Sequence, residues 1–228
     1  MSFRSKLFWI VLAGEDVSAC VVLRRSDQSF QQPEMSSFSG KVVAITGAAS
    51  GMGLATAQLL ASRGATISLA DLNSTGLETA VASLQPQTPA HMFTVVDVRK
   101  TASVNAWIHA TVEKLGQLDG AVNMAGVITP AVPLTELGDE AWDFVTDVNS
   151  TGVMRCLRAE LRAMKEGGSI VSASSTFGQF GAAGNVAYCA SKAAVIAMSR
   201  TAAKENPGVR INCVAPGMLQ SRTFFLQY

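Results

Sequence analysis

The run Val42-Val43-Ala44-Ile45-Thr46-Gly47-Ala48-Ala49-Ser50-Gly51-Met52-Gly53 constrains the fold of this chain more than any other stretch. An apolar, β-branched segment ends in a glycine-rich turn, and Leu54 to Arg63 then supplies strong helix formers. A strand, a tight loop and a helix start in that order make a unit whose helix N-terminus offers free backbone N–H groups to phosphates. Gly47 permits the sharp turn, Gly51 lets backbone approach a pyrophosphate, and Gly53 lets the helix pack closely on the strand; Ser50 and Met52 complete the loop. The spacing is Gly-x3-Gly-x-Gly, not the more general Gly-x-Gly-x-x-Gly. A turn of this composition can also be merely structural.

A second strand, Thr66-Ile67-Ser68-Leu69-Ala70-Asp71, ends in a carboxylate eighteen residues after Gly53. An acid there can accept hydrogen bonds from both hydroxyls of an adenosine ribose, and it would repel a 2′-phosphate. No Arg or Lys follows in Leu72-Asn73-Ser74-Thr75, so Asp71 favours NAD(H), with NADP(H) as the alternative. An ordinary turn aspartate would look the same in isolation.

Tyr188 and Lys192 are four residues apart and share a face if the segment is helical. A free phenol titrates near pH ~10, and a neighbouring cation favours phenolate, which suits the tyrosine to acid–base work. Many solvated helix faces carry the same spacing.

In order along the chain, further motifs accompany these. Asp97-Val98 follows the strand Met92 to Val96; then come Asn123-Met124-Ala125-Gly126, Asn149, Ser175 thirteen residues before Tyr188, and Ala215-Pro216-Gly217. With Thr46-Gly47-x3-Gly51-x-Gly53, this series resembles a short-chain dehydrogenase/reductase of the standard single-domain type. The resemblance covers about residues 40 to 217, with Met124 standing where the family usually has a second asparagine. It implies that Asp97 and Val98 hold the adenine ring, that Asn123, Ala125 and Gly126 flank the dinucleotide, and that Pro216 and Gly217 lie beside the nicotinamide. It further implies a tetrad. Tyr188 exchanges a proton with the substrate oxygen and Ser175 donates a hydrogen bond to that oxygen. Lys192 lowers the phenol pKa and binds the nicotinamide ribose, and Asn149 holds a water linking Lys192 to solvent. Ser175 is preferred to Ser174 on the family interval, with Ser174 turned into the sheet.

Alternating elements fit an α/β, doubly wound parallel sheet (Rossmann-like) in the order 3-2-1-4-5-6. Strands are predicted near 42–46, 66–70, 91–96, 119–123, 168–173 and 209–214. Helices are predicted near 52–63, 74–84, 101–115, 139–165 (in one or two pieces) and 186–205. The 228 residues allow one such domain, and 48% hydrophobic against 15% charged residues suits strands covered on both faces. A net charge of +1 without a basic block gives no sign of nucleic acid. Four scattered cysteines read as free thiols in a reducing, cytoplasmic setting, and two isolated histidines give no metal site. Gly-x-Ser-x-Gly is absent, which argues against a serine hydrolase.

Both ends depart from the family. Residues 1–38 read as a poorly ordered N-terminal extension before a 39–228 catalytic domain; Leu7 to Ala13 is too short for a membrane span. Only eleven residues follow Gly217, so the family's substrate lid and seventh strand are expected to be missing. Strand 209–214 would then be an exposed edge and the homo-oligomer common in the family would be weakened. The expected function is interconversion of a secondary alcohol and a ketone on a lipophilic small molecule. Val127 to Pro133 and Phe177 to Ala183 are expected to line its pocket. The alternative is a truncated dinucleotide-binding protein with little turnover.

Overall fold

Because parallel strands covered on both faces are apolar throughout, the buried runs of this sequence become the strands and the mixed stretches between them the helices. The computed structural model describes the backbone of Cys20–Val22 and residues 37–217. The elements are β1 (Cys20–Val22), β2 (Val42–Thr46), α1 (Gly51–Ser62), β3 (Thr66–Asp71), α2 (Ser74–Ala82), β4 (Met92–Val95), α3 (Thr101–Leu115) and β5 (Gly120–Asn123). They continue with α4 (Asp139–Thr146), α5 (Gly152–Ala163), β6 (Ser169–Ala173), the short α6 (Phe177–Phe180), α7 (Val186–Glu205) and β7 (Arg210–Ala215). All strand pairings are parallel, in the order β1-β7-β6-β5-β2-β3-β4. From β2 onward this is the expected 3-2-1-4-5-6 sheet. Its switch point, where ligands bind in open α/β sheets, lies between β2 and β5.

One expectation is corrected. The sixth expected strand is not left as an open edge, and a seventh strand is present. It comes from the N-terminal side: Cys20, Val21 and Val22 stand opposite Cys213, Val214 and Ala215. This short run pairs backbone groups at the end of β7 and moves that edge of the sheet from β7 to β1. The rest of the expected extension, apart from residues 37 and 38, lies outside the described residues, as do residues 218–228.

Two apolar cores clamp the sheet. On one face Ile45, Ile67 and Leu69 meet Ala57 and Ala61 of α1 and Leu77 of α2. On the other, Val104 and Trp107 of α3, Leu157 of α5 and Val195 of α7 pack on Ile170 and Ile211. The second core holds a satisfied polar cluster: the Trp107 indole N–H donates to Ser68 Oγ (2.9 Å), which shares a 2.7 Å hydrogen bond with Thr111. The predicted helix over 139–165 is two helices joined by a π-helical turn, Asp147–Thr151. Such turns widen the helix locally and re-aim a side chain, and here the buried Asn149 lies within it.

His91 serves the fold: Ile67 N–H donates to its Nδ1 (3.0 Å), and its Nε2 lies 2.7 Å from the Gln85 carbonyl. His109 is exposed, 3.9 Å from Glu113. Among the described residues no group of three His, Cys, Asp or Glu could hold a metal, and no helix is long and apolar enough to cross a membrane.

Candidate active site

The glycine loop links β2 to α1 at the switch point. Gly47 has φ +67°, and a Cβ there would fall 2.8 Å from Ala125 N. On Gly53 a Cβ would fall 2.1 Å from the Gly47 carbonyl oxygen, so loop and helix touch backbone to backbone. Gly51 is the opposite case: at φ +53° a Cβ would have no atom within 4 Å, so this part of the loop faces open space. Ser50 is the exposed N-cap of α1, and its hydroxyl makes no capping bond. The helix start thus keeps backbone donors free beside an open concavity, a cradle that fits a dinucleotide pyrophosphate. The Met52 carbonyl accepts a 2.7 Å hydrogen bond from Thr56 Oγ1.

Asp71 closes the far side of this cradle. Its Oδ2 accepts from Ala49 N (3.2 Å) and its Oδ1 from Asn73 N (3.0 Å), which locks the carboxylate against the loop. At Asp97 both oxygens are gripped by Arg99, at 2.9 Å from Nε and 2.9 Å from a terminal nitrogen. That hydrogen-bonded guanidinium, aided by Lys100, holds the Asp97 carboxyl below its usual range despite partial burial. Val98 is buried and would meet any side chain added at Gly152.

The segment after β5 is fixed at three points. Asn123 donates to Glu160 Oε2 at 3.0 Å. Met124 N and Ala125 N both donate to Thr46 Oγ1, at 3.1 and 3.2 Å. Asn149 then brackets Val127, accepting from its N–H (2.7 Å) and donating to its carbonyl (2.8 Å), with Ser191 Oγ 3.2 Å away. Gly126 lies in the middle: a Cβ there would stand 3.2 Å from Asn149 Oδ1 and 3.3 Å from Lys192 Nζ.

On α7, Tyr188 and Lys192 face the same space. Lys192 Nζ donates to the Ala173 carbonyl (2.8 Å) and sits 5.7 Å from the Tyr188 ring centre. Burial, with no compensating acid, pulls the Lys192 pKa down to about 8. The phenol is pushed up by its own burial, against a hydrogen bond with Ser175 that pulls it down. The Lys192 ammonium stands near the phenol ring without a hydrogen bond to it. The lysine's bond goes to a backbone carbonyl, and Ser175 is the group that touches the tyrosine. The expectation for Ser174 is corrected: its hydroxyl donates to the Lys192 carbonyl (2.7 Å), toward α7 and not into the sheet. Pro216 and Gly217 border the serine, with Thr176 N donating to Pro216 O at 3.1 Å. Phe177 meets the Tyr188 ring edge-on at 6.3 Å.

A groove beside the phenol is lined by Thr129, Val132, Leu137, Gly184, Val186 and Ala187. It takes two residues from the expected Val127 to Pro133 stretch. The second expected stretch gives way to its immediate continuation, because Gly184 approaches Ala131 and bonds Val132 N. Glu160 and Ser191 were not singled out by the sequence, and Thr46 only as the start of the glycine-loop motif. Thr46 ends the glycine-loop strand, and Glu160 falls on the buried stripe Val153-Cys156-Leu157-Glu160 of α5; both positions were readable.

Comparison with known proteins agrees with this arrangement. A family model described as short chain dehydrogenase matches residues 41–225. The short-chain dehydrogenase/reductase ABA4 of Pyricularia oryzae is 46% identical over 187 residues, 79% of this chain and 70% of that protein. Among solved structures, levodione reductase superposes with a TM-score of 0.78 at 36% identity, covering 82% of this chain and 75% of that one. NAD+-bound xylitol dehydrogenase gives 0.74 at 33% identity, covering 79% and 71%.

Proposed function

The chain belongs to the short-chain dehydrogenase/reductase family and is an oxidoreductase acting on CH–OH groups, and we propose that it interconverts a secondary alcohol and a ketone on a lipophilic small molecule, with NAD(H) as cofactor. The observation that carries this reading is the meeting of Ser175, Tyr188 and Lys192 from two separate elements beside a small groove lined in part by Val132, Leu137 and Val186. A phenol bonded to a serine hydroxyl next to a buried cation has little purpose in a simple binding protein.

A bound nicotinamide supplies or takes up the hydride. In reduction Tyr188 gives its phenolic proton to the substrate oxygen, and in oxidation it takes that proton back. Ser175 donates a hydrogen bond to the same oxygen, where negative charge grows during reduction. Lys192 stabilises the phenolate once the proton has left and reaches toward the nicotinamide ribose. Asn149 fixes the backbone floor beneath Lys192 through Val127, and it would hold a water that links Lys192 to solvent. The loop Gly47, Ser50, Gly51, Met52 and Gly53 would cradle the pyrophosphate and Asp71 would take the adenosine ribose hydroxyls. Asp97 and Val98 would bound the adenine, Asn123, Ala125 and Gly126 would flank the dinucleotide, and Pro216 and Gly217 would lie beside the nicotinamide.

Residues 39–228 would act as one catalytic unit, joined at its edge by Cys20–Val22 of the preceding extension. Free Cys156 and Cys189 fit a reducing, cytoplasmic setting. The test is a panel of ketones and secondary alcohols, with NADH, NADPH and their oxidised forms, run beside a cofactor-binding titration. Turnover that depends on Tyr188 supports the proposal; binding without turnover on any substrate supports a dinucleotide-binding protein in its place.

A further inference from the structure

Glu160 is fully buried on α5 and sits against the end of β5, where its Oε2 accepts from the Asn123 amide at 3.0 Å. The other carboxyl oxygen, Glu160 Oε1, and the single amide oxygen, Asn123 Oδ1, are both buried without a partner. With Glu160 ionised both atoms are acceptors and neither has a donor, a costly arrangement away from water. One added proton supplies the missing donor.

We infer that Glu160 is a positioning residue held as the neutral acid, and that its proton, paired with Asn123, fixes the 123–127 segment against the glycine loop. The assignment of that segment to the dinucleotide rests on the function proposed above. Mechanically the link is short. Asn123 is followed directly by Met124 and Ala125, whose N–H groups grip Thr46, and Ala125 N limits what can stand at Gly47. Ionising Glu160 sets a charge beside the anchor of this segment.

Among the described residues no cation faces Glu160 to stabilise its charged form. On its own helix Cys156 is a buried thiol, Arg155 is paired with Asp147 of the π-helical turn, Arg158 reaches Thr101 and Arg162 is exposed. On α7 the Lys192 ammonium is committed to Ala173, and on α3 His109, Glu113 and Lys114 are exposed; β5 carries no charge. Burial accordingly raises Glu160 from 4.5 to about 7, against the pull of the Asn123 bond. The folded state then binds more protons than the unfolded chain across that window. Stability is greatest at its acid end and falls as pH rises toward about 7.

The experiment compares the full chain with its Glu160→Gln and Glu160→Leu variants, by melting temperature and NADH titration from about pH 5 to about pH 8. A glutamine reproduces the donor–acceptor pattern of the neutral acid without its titration. The wild type is expected to lose at least about 5 °C relative to Glu160→Gln as pH rises across the window. Its NADH affinity is expected to weaken several-fold, while that of Glu160→Gln stays flat and Glu160→Leu binds poorly at every pH. Parallel pH profiles for wild type and Glu160→Gln overturn the inference, as does a Glu160→Gln chain that fails to fold or a Glu160→Leu chain that binds as well as Glu160→Gln. If nothing binds NADH at any pH, the dinucleotide reading and the positioning role fall together, and the melting comparison alone still decides the shared proton.

Discussion

The ammonium of Lys192 stands 5.7 Å from the centre of the Tyr188 ring, yet its hydrogen bond goes to the carbonyl of Ala173. The lysine is thus held near the phenol without bonding to it. In that position it costs little to the neutral tyrosine and becomes valuable once a phenolate forms.

Tyr188→Phe tests this directly. The ring and its contact with Phe177 survive, and only the hydroxyl is lost. Turnover should fall by about 10²–10⁴-fold, the range of a lost general acid, while NADH affinity changes less than about twofold. Steady-state rates set beside a binding titration decide it; an active Phe variant removes the tyrosine from its role.

Lys192→Met should make the protein more stable and less active. Folding lowers the Lys192 pKa from 10.5 to about 8, so the folded state binds fewer protons than the unfolded chain between those values. Stability therefore rises with pH across that window and is lost as pH falls through about 8. At neutral pH the buried charge costs on the order of 3 kcal/mol, partly offset by its bond to Ala173, about 1 kcal/mol. The Met variant should melt about 4–8 °C higher at neutral pH, with the gain shrinking as pH approaches 10.5. A lower melting temperature at neutral pH would contradict this account.

Gly126→Ala and Gly53→Ala should separate activity from folding. At Gly126 the new methyl meets the side-chain ends of Asn149 and Lys192 at 3.2 and 3.3 Å, so they need to give by only a few tenths of an ångström. Stability should fall by less than about 1–2 kcal/mol, while turnover falls about tenfold to a hundredfold through misplacement. At Gly53 the methyl meets the Gly47 carbonyl at 2.1 Å, and backbone cannot yield cheaply. That variant should lose cofactor binding and much of its cooperative melting by circular dichroism.

Asp71→Ser should relax cofactor choice. The carboxylate is locked at the loop by Ala49 N and Asn73 N, so it cannot swing away from a 2′-phosphate. Removing the charge should raise NADPH affinity about tenfold, equal to about 1.4 kcal/mol, and weaken NADH. A wild type that already binds NADPH more tightly than NADH would refute the assignment.

Most of the fold was legible because its signals are local. Strands such as Val42–Thr46 are apolar on both faces, and α3 carries its buried residues at Val104, Trp107, Ile108 and Thr111, a helical period. The candidate site was legible where motif and chemistry coincide, at the glycine loop, Asp71 and the Tyr188–Lys192 pair. What escaped the sequence depends on distant partners. Nothing near Cys20 says that it lies beside Cys213, and nothing near Glu160 names Asn123. The break between α4 and α5 was half legible: Asp147–Thr151 is a run of weak helix formers, but composition does not say that the turn is π-helical. The direction of Lys192 was missed because i,i+4 spacing gives proximity on a helix but not which acceptor the ammonium chooses.

The pairing of Cys20–Val22 with Cys213–Ala215 joins stretches far apart along the polypeptide. During synthesis the first of these emerges early and must wait, uncommitted, until the second has been made. Three residue pairs then reward a very long loop closure, so this rim should assemble last and breathe most often. Amide protons there should exchange with solvent well before those at the centre of the sheet. While it waits, a cysteine–valine–valine segment is a sticky end that favours rapid completion of the chain over prolonged pausing.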